Sequence, residues 1–219
     1  MLAKRVDVGA DALGDPGASM WERFPARKVA LVPTPVGMQP SKYIMAKWRD
    51  GEFGHTSAAG LQAAHNGQEL AFRLEWECQK SVTTINDNDQ FADAAALLFP
   101  LTEDAPLIMG MEGAPVNIWY WRADQPKMGL NNVADGIGTS RLTSSPLITT
   151  QGAHADGRWS LVFRRALAAA ADAPTTGNVA KFEPGKDYRL AVALWSGANS
   201  ERAGLKAYSP VWVELSLEG

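Results

Sequence analysis

Residues 69–77 read ELAFRLEWE, in which Leu70, Phe72, Leu74 and Trp76 alternate with Arg73, Glu75 and Glu77. A period of two marks a strand with one covered face, because successive side chains leave a pleated backbone on opposite sides. Three further segments repeat the pattern. RWSLVFRRAL aligns Trp159, Leu161 and Phe163, and DYRLAVALWSG aligns Leu190, Val192 and Leu194. PVWVELSLE directs Val211, Val213, Leu215 and Leu217 inward, with Glu214, Ser216 and Glu218 outward. PVNIWYWRA differs: Val116, Ile118 and Tyr120 oppose Asn117, Trp119 and Trp121, so bulk on both faces predicts cover on both.

The turn signals HNGQ, HADGR, EPGKD and SGANSERAG separate these segments. Helix is scarce. DQFADAAALLFP predicts a short helix before Pro100, and RRALAAAADAP fits either a frayed helix or a strand running into a loop. Strands without a regular alternation with helices predict a mainly β chain, an antiparallel β-sandwich with a few short helices. No repeat or linker divides the 219 residues, so one domain is expected. A core of that size buries roughly 70% of the unfolded surface and needs no disulfide.

Composition excludes several functions. The net charge of -3 comes without a basic stripe, which argues against nucleic acid as a partner. The single Cys78 rules out an internal disulfide, a cluster held by this chain's thiolates and covalent haem through C-x-x-C-H. No run of about 18 apolar residues predicts a membrane span. The N-terminus lacks the apolar stretch of a secretory signal, so composition alone suggests a soluble cytoplasmic protein.

Signatures of hydrolases, nucleotide binding and zinc proteases are missing. Glu75 and Glu77 share the polar face of a strand and read as solvated surface. His55, His65 and His154 lie in polar or turn-like stretches and read as solvent-facing, with His65 the first to test as an iron ligand. In LIMGMEGAPVNIWYW, Met109 and Met111 have core packing as their default role. A thioether is also a soft ligand that favours reduced iron, and the intervening Gly110 would let a flat cofactor approach the backbone.

Two blocks carry a resemblance. FPLTEDAPLIMGMEGAPVNIWYWRAD (residues 99–124) and LWSGANSERAGLKAYSPVWVEL (residues 194–215), with the supporting AKRV, PTPVGM and QAAHNGQELAFRLEW, resemble the haem b, or gamma, subunit of ethylbenzene dehydrogenase and its relatives. Those relatives are type II enzymes of the dimethyl sulfoxide reductase family: steroid C-25 dehydrogenase, dimethylsulfide dehydrogenase, and chlorate and selenate reductases. The resemblance implies a single haem b-binding β-sandwich over residues 1–219, with the haem held noncovalently between loops at strand ends. It assigns the axial ligands to Met109, with Met111 as the alternative, and to Lys206. An exposed lysine near pKa 10.4 has no lone pair to give, so Lys206 would need an apolar pocket, which the neighbours in LKAYSPVW suit. Arg141 and Arg202 are candidate haem-propionate partners by charge alone. Trp119, Tyr120 and Trp121 could wall the pocket or fill core.

The same resemblance implies a non-catalytic electron-transfer subunit of a heterotrimer. Its partners would be a molybdenum catalytic alpha subunit and an iron–sulfur beta subunit, which carry the molybdenum cofactor and the clusters, with a soluble cytochrome c or similar carrier outside. It favours a hydrocarbon- or steroid-hydroxylating dehydrogenase in the periplasm, with export alongside a partner bearing a twin-arginine signal. The rival reading is a cofactor-free carbohydrate-binding β-sandwich, which requires exposed rings among the eight Trp.

Overall fold

The computed structural model describes residues 1–39, 41–143, 148–168 and 179–219. Its strands, in chain order, are β1 (Leu2–Arg5), β2 (Arg27–Ala30), β3 (Val32–Pro33), β4 (Ala58–His65), β5 (Glu69–Glu77), β6 (Ala94–Pro100) and β7 (Val116–Arg122). They continue as β8 (Met128–Ala134), β9 (Arg141–Leu142), β10 (Ile148–Ala155), β11 (Arg158–Ala166), β12 (Asp187–Trp195), β13 (Ala207–Tyr208) and β14 (Val213–Leu217). The two α-helices among the described residues, Ala10–Gly14 and Lys42–Lys47, are short.

One layer runs β4, β5, β11, β10, with β2 beside β4. The other runs β8, β7, β6, β12, and continues through β13 to β3. A short β10–β8 pairing joins the layers on one side. On the other, β14 pairs with β12 and β1, and β1 pairs with β4, so the path closes on itself. The architecture is mainly β, as expected, but β1 runs parallel to both of its neighbours and departs from a purely antiparallel pattern.

The alternation read from the sequence becomes the interior. Leu70, Phe72, Leu74 and Trp76 of β5, Trp159, Leu161 and Phe163 of β11, and Leu190, Val192 and Leu194 of β12 all enter one buried cluster. Trp119 and Trp121 of β7 join them, with the Trp119 ring 5.0 Å from Phe99 and 5.6 Å from Phe72. The opposite face of β7 is also covered: Val116 and Ile118 belong to a second cluster, with Tyr120 packed against it. Layer β6–β7–β12 therefore has cover on both sides.

Two local expectations are corrected. Residues 94–100 form strand β6, not a helix, and Ala94 to Phe99 are all buried. Burial on both faces leaves an unbroken apolar run with no alternation, and the Ala and Leu content then mimics helix propensity. Pairing with β7 and β12 along the whole strand overrides that propensity. At the other end, β14 begins at Val213, and Val211 is 68% exposed instead of inward. For RRALAAAADAP, β11 extends to Ala166, while residues 169–178 lie outside the described residues.

Asp93 ties the loops to this frame. Its buried carboxylate accepts from Trp159 Nε1 (2.9 Å), the Val82 amide (3.0 Å) and the Gly197 amide (2.8 Å). The core argument is checked by truncation. Trp119→Ala should cost about 3–5 kcal/mol in a denaturant titration, whereas Val211→Ala should leave the midpoint nearly unchanged.

Candidate metal-ligating cavity

The second face of layer β6–β7–β12 forms the floor of a cavity of about 350 Å³. The ladder register makes that floor low in the middle. Ala193 of β12 lies opposite Ala96 of β6, which lies opposite Tyr120 of β7. The next row is Ala191, Leu98 and Ile118. Neighbouring alanines on two strands leave a shallow apolar depression, roofed by the loops that carry Thr34, Met38, Leu107, Met109, Ile137 and Lys206. The cavity thus lies on the outer face of one layer, beneath loops, and not at an opening between the layers.

Met109 reaches it from the loop between β6 and β7. Its backbone is left-handed, with φ 61°, and Gly110 follows with φ 69°. A side chain at Gly110 would bring a Cβ within 2.9 Å of both the Ala114 and Ala134 carbonyl oxygens. Gly110 is therefore required by the close approach of the protein's own backbone. The Met109 carbonyl accepts from the Gly136 amide at 2.9 Å and the Gly110 amide donates to Pro106 at 3.1 Å, which fixes the turn. Met111 bridges to Ala114 and is 49% exposed; it does not line the cavity.

Lys206 lines the same cavity, directly before β13. Its Nζ lies 5.2 Å from the centre of the Trp195 ring, and that ring is held by Nε1 donating to the Ala203 carbonyl (3.0 Å) and by edge contact with Tyr120 (5.5 Å). Among the described residues no carboxylate lies within 4.0 Å of this amine. Lys206 is half-buried by area because the cavity is open, yet the surrounding protein desolvates its ammonium and brings the pKa down to about 8. Beside it Gln39 is buried, its Nε2 donating to the Gly204 carbonyl (2.9 Å), while its Oε1 has no partner among the described residues.

A permanently neutral thioether and an amine whose charge burial disfavours, set in apolar walls, are both groups that could donate to a transition metal. Met38 is a second thioether at the same cavity, 40% exposed. The sequence reading missed Met38, Trp195 and the alanine floor. The floor did leave a signal on one strand, in the alanines that alternate with larger residues in AVALW.

The other candidates lie elsewhere. His65 is fully buried as the last residue of β4, not solvated, because its carbonyl accepts from Val6 and the turn begins only at Asn66. Both its ring nitrogens lack partners among the described residues, and burial lowers its pKa. His154 sits in β10 rather than in a turn, with Nε2 2.8 Å from the Cys78 carbonyl, whereas His55 is exposed as expected. Neither Arg141, paired with Asp135 at 3.0 Å, nor Arg202, stacked over Phe91 at 4.4 Å, lines the cavity. Trp119 and Trp121 are sandwich core, and only Tyr120 of that trio faces the cavity. No group of three or more His, Cys, Asp or Glu among the described residues could hold a metal, and no helix there is long and apolar enough to cross a membrane.

Comparison with known proteins agrees on one lineage. A protein of Haloferax mediterranei that carries the name of a respiratory nitrate reductase heme subunit is 32% identical over 206 residues, covering 92% of this chain and 68% of its own. The chlorate reductase subunit gamma of Ideonella dechloratans is 30% identical over 95% of this chain and 81% of its own. The dimethylsulfide dehydrogenase subunit gamma of Rhodovulum sulfidophilum is 30% identical over 91% and 73%. In fold alone the chain is similar to a family 9 carbohydrate-binding module from Caldicellulosiruptor kristjanssonii solved with glucose, with TM-score 0.50, 9% identity, and coverage of 100% of this chain and 95% of that one. The model of the ethylbenzene dehydrogenase family matches residues 18–145 and 137–207, and the chain belongs to that family, together with the gamma subunits of chlorate reductase and dimethylsulfide dehydrogenase.

Proposed function

We propose that this chain is a haem b electron-transfer subunit, a single domain over residues 1–219, with Met109 and Lys206 as the axial ligands of the iron. The observation that carries the reading is that one apolar cavity brings together, from loops far apart in the chain, a thioether and a desolvated amine with no carboxylate within 4.0 Å among the described residues. The names of the relatives, a heme subunit and two gamma subunits of oxidoreductases, support it. So does the fit of the site: alanines clear the floor for a flat ring, and the walls offer few polar groups. Met111, exposed and outside the cavity, is the weaker candidate.

Bound there, a haem would supply one-electron redox chemistry. Met109 and Lys206 would hold it, and two protein donors to the iron would leave no place for oxygen or substrate and limit rearrangement as charge changes. Burial disfavours the Lys206 ammonium and so makes the neutral amine easier to reach, and the Trp195 ring lies beside its Nζ. The chain performs no substrate chemistry in this reading. Electrons pass between an iron–sulfur beta subunit, fed by a molybdenum alpha subunit, and an external carrier such as a soluble cytochrome c. A periplasmic hydrocarbon- or steroid-hydroxylating dehydrogenase, exported with a twin-arginine-bearing partner, is the setting we favour.

The carbohydrate-binding alternative requires tryptophans on the surface. Six of the eight are buried and the remaining two, Trp48 and Trp212, are half-buried, so no exposed indole is available to stack on a sugar.

Reduced-minus-oxidised absorption of the purified protein tests the proposal. The wild type should give a b-type low-spin spectrum, Met109→Ala and Lys206→Ala should each lose it, and Met111→Ala should keep it. A colourless protein copurified with its partner subunits would refute the assignment. A second check uses acidity. The folded ammonium of Lys206 sits near 8 against the usual 10.5, so between those values the unfolded chain binds the additional proton. The cofactor-free protein should gain stability as pH rises from about 8 towards 10.5, and Lys206→Met should remove that gain.

A further inference from the structure

We infer that Glu201 is the positioning residue for Lys206: its carboxylate ties the start of the segment that presents the amine to a second loop, the one packed against that lysine's backbone. The inference rests on the haem reading above and adds a residue that does not itself touch the cavity.

Glu201 is 2% exposed, and among the described residues it has no cation within 4.0 Å. A buried carboxylate is costly unless hydrogen-bonded. Here each oxygen has a backbone donor: Oε1 accepts from the Gly54 amide at 2.7 Å, and Oε2 accepts from the Ser196 amide at 2.9 Å. Burial raises the carboxyl's pKa while these two amides oppose the rise. The adjacent Arg202 turns away to lie over Phe91, so the pair of charges does not neutralise itself.

The two donors matter for where they lie. Ser196 directly follows the Trp195 ring beneath the Lys206 amine. Gly54 has φ 69° and packs so tightly that a Cβ there would sit 2.6 Å from Pro33 Cα and 3.0 Å from the Lys206 carbonyl oxygen. That carbonyl in turn accepts from the Thr34 amide at 3.0 Å. One side chain therefore links the floor under the amine to the wall behind the lysine's backbone. The intervening loop needs such a link, because Ser200 (φ 57°) and Ala203 (φ 51°) are both left-handed without being glycine. Such residues persist only where their surroundings over-determine them.

A carboxylate is specifically required, since two separate N–H groups need two acceptor oxygens. Glu201→Gln preserves volume but turns an NH2 towards one of the donors. Released at one end, Lys206 should leave the iron more readily and expose a coordination position.

The test uses the full chain loaded with haem, comparing wild type, Glu201→Gln, Glu201→Ala and Lys206→Ala. Carbon monoxide binding to the reduced protein is read beside the low-spin absorption and the thermal midpoint of the cofactor-free form. Glu201→Gln should bind carbon monoxide at least about tenfold faster than wild type, the size expected from losing one charge-assisted hydrogen bond. A merely structural role would lower the midpoint and the haem content while the haem that remains stays low-spin and inert to carbon monoxide; that result overturns the inference. Amide exchange in the wild-type holoprotein needs no variant to fold: slow exchange at Gly54 and Ser196 is expected, and fast exchange at both overturns the clamp. A wild type without low-spin haem, or a Lys206→Ala variant with an unchanged spectrum, sinks the haem reading itself and is thereby told apart from failure of the Glu201 inference alone.

Discussion

Layer β6–β7–β12 has to bury both of its faces, and the rest of the structure depends on how it does so. On one face Trp119, Trp121, Phe99 and Leu194 meet β5 and β11 and complete the sandwich interior. On the other, Ile118, Leu98, Ala96 and Ala193 can be covered only by loops and by whatever those loops enclose. Because side chains alternate strictly along a strand, a slip of one residue in β7 would exchange these two sets. The packing that stabilises the core therefore also holds the cavity floor in register. Rigidity at the site is inherited from the tryptophans behind it.

Above that floor, the two candidate ligands are presented by different physical means. Met109 is placed by backbone shape: two successive left-handed residues, a glycine that nothing larger could replace, and a carbonyl tied to Gly136. Lys206 is placed by desolvation and by the loop's polar anchoring, with the Trp195 ring beneath its amine and its backbone joined to Thr34. The thioether needs only position, having no proton to lose. The amine needs both position and a setting that disfavours its charge, and burial supplies that setting.

The half-buried strands were legible because each carries its answer in its own alternation: β5, β11 and β12 all direct the read residues into the interior. β7 was legible as a doubly covered strand from its bulk on both faces. β6 was not, since AAALLFP has nothing polar to alternate with and resembles helix until its two neighbours are known. His65 misled for the converse reason, a turn motif beginning one residue after it. Met109 and Lys206 were singled out through a resemblance, not through periodicity, and no local pattern would have paired them. The cavity was hidden because an alanine says little alone; Ala96 and Ala193 make a depression only once the ladder sets them opposite each other.

The pairing of β1 with β14 joins Leu2 to Ser216 and Ala3 to Leu217, almost the full span of the chain. Until β14 has been made, β1 lacks its partner on that side and β12 lacks β14. Pairing segments so far apart in the chain comes late, which makes folding slow and leaves unpaired strand edges open to association in the interval. Without β14 the fold would retain nearly all of its core and still be unable to seal its sheet.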